Sequence, residues 1–105
     1  MFEGGLRVPA FVHAPFLGVP RGQVTEKLFY VSDWYVTLAT LAGVPPAVIF
    51  NSSGPVPPDG MDIWSAIVND TDSPRDVIVH EYDDVQHTYA IRFVIYTNVY
   101  LLCMW

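Results

Sequence analysis

Val31-Ser32-Asp33-Trp34-Tyr35-Val36-Thr37-Leu38-Ala39-Thr40-Leu41-Ala42-Gly43 is the stretch of this 105-residue chain on which its architecture turns. Its ends are punctuated as a helix's are: Ser32 suits the N-cap, Asp33 sets negative charge in the first turn, and Gly43 with Pro45 behind it supplies the stop. Trp34, Leu38 and Leu41 recur at i, i+4 and i+7, and Tyr35 and Ala42 widen the stripe. A helix over residues 31–43 thus has one strongly apolar face, predicted to pack on a sheet.

Towards the N-terminus, Arg7-Val8-Pro9-Ala10-Phe11-Val12-His13-Ala14 is a short apolar run bounded by prolines. It predicts a buried strand with Pro9 marking its beginning. Beyond the helix, Ser, Gly and Pro crowd residues 51–59, which read as a surface loop. Asp62 then caps a second, shorter helix over residues 63–68. Asp76-Val77-Ile78-Val79-His80 reads as a strand, and residues 91–102, rich in Val, Ile, Tyr and Phe around Thr97-Asn98, as a hairpin. The order strand, helix, helix, strand, hairpin predicts an α/β chain with a later antiparallel piece.

The composition is 51% hydrophobic and 14% aromatic with only 15% charged, more apolar surface than so short a chain covers by itself. A larger protein or a partner subunit is the expected cover. Net charge is −6 with five Lys and Arg, so no basic stripe exists for nucleic acid. Apolar runs such as residues 100–103 are far shorter than the ~20 residues that span a bilayer, so no transmembrane helix is expected. Met1-Phe2-Glu3-Gly4-Gly5 has neither the basic start nor the apolar stretch of a signal peptide, and the natural start is expected upstream. Cys103 is the single cysteine, which excludes an internal disulfide or a Cys-based zinc site. Two sequons, Asn51-Ser52-Ser53 and Asn69-Asp70-Thr71, sit in polar turn-like stretches and lean towards glycosylation at Asn51 and Asn69 and the secretory pathway.

Candidate chemistry is sparse. His80-Glu81-Tyr82-Asp83-Asp84-Val85-Gln86-His87 gathers two imidazoles and three carboxylates, yet Asp84 replaces the second His of H-E-x-x-H and the segment reads as a strand end entering a loop. A solvated acidic loop is favoured over a metal site. Glu3-Gly4-Gly5-Leu6-Arg7 reads as a tight turn in which Glu3 and Arg7 pair or bond nearby backbone; a phosphate loop would need a helix next, and a strand follows. Ser32, Ser65 or Ser73 with His13, His80 or His87 supplies the residue types of a hydrolytic triad, but no G-x-S-x-G turn selects a combination. Cys103 has no base beside it in sequence and reads as a small apolar residue.

Several spaced segments, taken in order, resemble the type I sulfatases, the arylsulfatase B-like members most closely. Phe2-Glu3-Gly4-Gly5-Leu6-Arg7-Val8-Pro9 is similar to the family's aromatic-E-G-G-x-R-x-P segment, with Phe11-Val12-His13-Ala14-Pro15 in the place of its next strand. Asp33-Trp34-Tyr35-Val36-Thr37-Leu38 resembles a D-W-x-P-T-L helix start, with Val36 where proline is usual. Asp59-Gly60-Met61-Asp62-Ile63-Trp64 resembles a D-G-x-D-x-W turn, and Ser73-Pro74-Arg75 precedes a strand as the pattern has it. Later the likeness loosens: Ala90-Ile91-Arg92 resembles the opening of a further strand, residues 93–96 look inserted, and Tyr100 stands where lysine is common.

The resemblance implies a partial alkaline-phosphatase-like α/β fold, a sheet flanked by helices with a C-terminal β-hairpin. Residues 1–89 would be the later part of the catalytic domain and residues 90–105 the start of a divergent C-terminal β region. The implied activity is hydrolysis of sulfate esters, using a formylglycine made in a C-x-P-S-R motif, calcium, and Lys and His residues around the sulfate. No C-x-P-S-R occurs in these residues, and the family's calcium ligands and catalytic lysines belong to segments before Phe2. No catalytic, cofactor-binding or metal-binding residue is therefore assigned to the chain, and inactivity of the isolated segment is expected. Its partner would be the remainder of the sulfatase domain, in a lysosomal or extracellular protein. The alternative is a non-catalytic truncated relative acting as an interaction module; a free-standing domain with a metal site within residues 80–87 is a third reading.

Overall fold

The computed structural model describes residues 6–51, 54–95 and 98–104. They fall into two compact units, Phe29–Arg75 and the pair of segments Met1–Leu28 and Asp76–Trp105.

In the first unit, helix α1 spans Asp33–Leu41. Its end is a Schellman motif: Gly43, at φ 78°, donates its N–H to Thr40 O at 2.9 Å while the Val44 N–H reaches Ala39 O at 3.0 Å. Ser32 occupies the N-cap position but makes no side-chain cap bond. A short helix not expected from the sequence, α2 (Pro46–Asn51), follows. Pro46 starts it where a missing N–H costs nothing, and Ile49 is its buried residue. Helix α3 spans Trp64–Val68, one residue shorter than anticipated; its N-cap position is Ile63 and not Asp62, whose Oδ1 accepts the Trp64 N–H at 2.9 Å from one residue further out. Ile63 and Ala66 are fully buried. Each large aliphatic side chain buried here contributes roughly 1.5–3 kcal/mol.

The expected apolar stripe of α1 is not its buried face. Asp33, Val36 and Thr37 are buried, whereas Tyr35, Leu38 and Leu41 are 56%, 58% and 38% exposed. Directed bonds from Asp33 and Thr37, described below, fix which side turns inward, and no sheet covers the stripe among the described residues of this unit.

In the second unit, strands β1 (Val77–Asp83), β2 (Thr88–Ile95) and β3 (Asn98–Met104) form an antiparallel sheet in the order β1-β2-β3. The Ile95↔Asn98 pairing leaves a two-residue connection, so the hairpin is present; its turn, which includes Thr97, lies outside the described residues. The register slips between Val79 and Glu81, a bulge at His80. The strand anticipated over residues 7–14 is absent. That segment is irregular and leads into a single 3-10 turn, Pro15–Leu17, with Val8 69%, Phe11 92% and Phe16 98% exposed. An apolar run becomes a strand only where a neighbour accepts its ladder, and none does so among the described residues of this unit.

Candidate functional site

The densest polar cluster among the described residues lies in the Phe29–Arg75 unit and is built on Asp33, whose side chain is fully buried. Its Oδ2 accepts the Tyr30 N–H at 2.8 Å and its Oδ1 the Met61 N–H at 2.9 Å. Arg75 Nε donates to Oδ2 and Oδ1 at 3.0 and 3.2 Å, and Nη2 donates to Oδ1. The same Nη2 reaches Asp59 O at 2.8 Å, and the guanidinium lies 5.6 Å from the centre of the Tyr30 ring. Arg75 is held above its ordinary pKa chiefly by its hydrogen bond to Asp33, with burial acting in the opposite sense.

One turn along α1, Thr37 extends the network. Its hydroxyl donates to Asp33 O at 2.7 Å and accepts the Ile63 N–H at 3.0 Å, so it is used in both directions. Gly60 is pressed against the start of α1: a Cβ there would overlap Ser32 O and lie 2.9 Å from Val36 Cγ2. Ser73 Oγ accepts the Arg75 N–H at 3.1 Å and shapes the turn that delivers the guanidinium. The D-W-x-x-T, D-G-x-D-x-W and S-P-R segments thus meet in one buried network. Sequence reasoning took Asp33 only as helix-end charge and gave Arg75 no role. The signal was the Asp33/Thr37 spacing of four, which sets both on one helix face.

Both Asp33 oxygens are committed to three donor groups, and Arg75 donates to Asp33 and to the Asp59 carbonyl, so the cluster ties backbone segments together.

The other sequence candidates lie elsewhere. The acidic stretch 80–87 is a hairpin corner: Asp83 Oδ1 accepts the Val85 and Gln86 N–H groups, each at 2.9 Å, and His87 takes φ 55°. Thr88 Oγ1 donates to Glu81 at 3.3 Å, Tyr89 Oη to Asp84 at 3.2 Å, and the Tyr82 and Tyr89 rings meet edge to face at 5.2 Å. Its carboxylates serve the turn and the ladder. Among the described residues no group of three or more His, Cys, Asp or Glu is placed to hold a metal ion. Arg7 pairs with Glu26 at 3.1 Å, an exposed contact; Glu3, its anticipated partner, lies outside the described residues. Cys103 falls in β3. Asn51 ends α2 and Asn69 follows α3, both exposed; Ser52 and Ser53 lie outside the described residues. Within the described residues, no helix is long and apolar enough to cross a membrane.

Over 84 residues, 80% of its length, the chain is 37% identical to arylsulfatase J of Mus musculus. It spans 13% of that relative's length. No family model matches the chain. No solved structure matches it either.

Proposed function

This chain belongs to the sulfatase family, and from that premise we propose that it is a scaffold segment of an arylsulfatase-type sulfuric ester hydrolase, supplying none of the reacting groups itself. The observation that carries the reading is the Asp33–Arg75 network. It ties the three family-like segments of the Phe29–Arg75 unit to one another and engages the Asp33 carboxylate and the Arg75 guanidinium in doing so. Such a network fixes the backbone of a larger domain, which is how rigid elements support a site carried by others.

The exposed apolar surface supports the same reading. Tyr35, Leu38 and Leu41 on α1, and separately Phe11 and Phe16, leave a great deal of apolar area facing outward. Apolar area on this scale marks an interaction surface. Since the chain spans 13% of its relative's length, the rest of the sulfatase domain is the cover proposed for it.

The residues present do not fit the family's cofactors. Formylglycine needs a cysteine within C-x-P-S-R, and Cys103 is followed by Met104 and Trp105. Calcium needs several free oxygen ligands, and the most buried carboxylate, Asp33, is saturated by N–H donors. Both groups belong, in this reading, to other parts of the complete enzyme, which follows the secretory route to a lysosomal or extracellular destination.

The test is to sequence the natural transcript through the codons ahead of Met1 and assay its complete product on an aryl sulfate. An in-frame C-x-P-S-R with hydrolysis of the ester is the expected result. An in-frame stop immediately upstream would leave a non-catalytic sulfatase relative and remove the enzymic reading.

A further inference from the structure

We propose that Asn69 is an acceptor for an N-linked glycan. The inference rests on the secretory route set out above and goes beyond it by naming the modified atom. Asn69 is the C-cap of α3, at φ −105° and ψ 3°, and its backbone is anchored by its N–H on Ser65 O at 2.9 Å. Asp70 then turns to φ 55°, a left-handed conformation that Asp tolerates better than most residues. A helix would send the side chains of residues i and i+2 to opposite sides. The left-handed residue between Asn69 and Thr71 ends that arrangement, so the tripeptide leaves the helix through a bend into irregular chain.

Residues 69–72 are all exposed. Among the described residues, a bulky, strongly hydrated substituent at Asn69 therefore displaces no packed side chain, as a glycan requires. Asn51 differs: it is the last residue of α2, still within a helix.

The transfer balances simply. Asn69 Nδ2 forms a bond to the anomeric carbon of an oligosaccharide carried on a lipid diphosphate. The carbon–oxygen bond to the diphosphate breaks, the diphosphate leaves with the electron pair, and Nδ2 gives one proton to a base of the transferase.

The experiment uses the complete natural polypeptide made in cultured animal cells. Enzymatic deglycosylation in heavy-oxygen water converts a glycosylated Asn to a mass-tagged Asp. The expected result is a tag at position 69, loss of one glycan-sized mobility step in both Asn69→Gln and Thr71→Ala, and retention of that step in Thr71→Ser. An untagged Asn69, or a product that never enters the secretory pathway, overturns the proposal. Aryl sulfate hydrolysis on the same preparation separates the two readings. Activity with an untagged Asn69 defeats the glycan alone, and a tagged Asn69 without activity defeats the enzymic reading alone.

Discussion

The guanidinium of Arg75 closes on the carboxylate of Asp33 across 42 residues of chain, and the two side chains are only 10% and 0% exposed. A pair this buried adds little net stability over a well-packed apolar substitute, because desolvation offsets much of the attraction. Losing one partner is a different matter, since the survivor stays buried and uncompensated. Arg75→Met is expected to destabilise the unit by about 3–5 kcal/mol. Asp33→Asn is expected to do comparable harm, because its amide NH₂ would face Met61, Tyr30 or Arg75 donors. Urea unfolding of the two single variants and the double variant measures the coupling. A double variant costing much less than the sum of the singles is the expected outcome, and simple additivity would show that the pair does not act as one.

Gly60 is required by space. Its hypothetical Cβ meets the Ser32 carbonyl, which is backbone and has no rotamer into which to retreat. Gly60→Ala is expected to lose about 1–3 kcal/mol or more, the usual cost of overpacking. Alanine at Gly54, where a Cβ would have open space around it but φ is 95°, separates backbone strain from crowding. A Gly60→Ala midpoint equal to wild type would mean that the turn does not sit against α1.

Thr37 offers a sharper contrast. Thr37→Val keeps the volume but leaves the buried Ile63 N–H without its acceptor, a loss of about 1–3 kcal/mol. Thr37→Ser keeps the hydroxyl and should recover most of that. A Thr37→Ser variant that loses as much as Thr37→Val would contradict this, because the hydroxyl alone would then not restore the stability.

The pH dependence follows from the direction of the Arg75 shift. Its folded-state pKa is raised above its unfolded value, chiefly by the Asp33 hydrogen bond, so the charge contributes fully below the unfolded pKa. That contribution is lost only as pH rises through the folded value, at the far alkaline end of the scale. The stability difference between wild type and Arg75→Met is therefore expected to stay flat from neutral to mildly alkaline pH. A marked fall of that difference between pH 7 and 9 would mean that another group titrates in the network.

Much of this was legible locally. Gly43 announced the end of α1, Asp62 the start of α3, and the β-branched and aromatic run of residues 91–102 the hairpin. These features are set by neighbours a few residues apart. Asp33 does stand in the first turn of α1 as expected, but its role in the network was out of view, because a carboxylate there has an adequate local explanation and its partner stands 42 residues away. The apolar stripe of α1 and the run over residues 7–14 failed for a related reason. Periodicity reports what a segment prefers to bury, whereas the described residues of the Phe29–Arg75 unit include no sheet to cover that stripe, and the run over residues 7–14 forms no ladder. Helix α2 was lost in the shadow of Pro45-Pro46, which reads as a stop but also serves as a start.

The most direct test of a scaffold role is the kinetics of Arg75→Met in the complete natural polypeptide, acting on an aryl sulfate. A lower yield of soluble enzyme is expected, with kcat and KM of the soluble fraction unchanged. A normal yield with kcat sharply reduced would contradict it, since Arg75 would then be acting on the reaction and not on the fold.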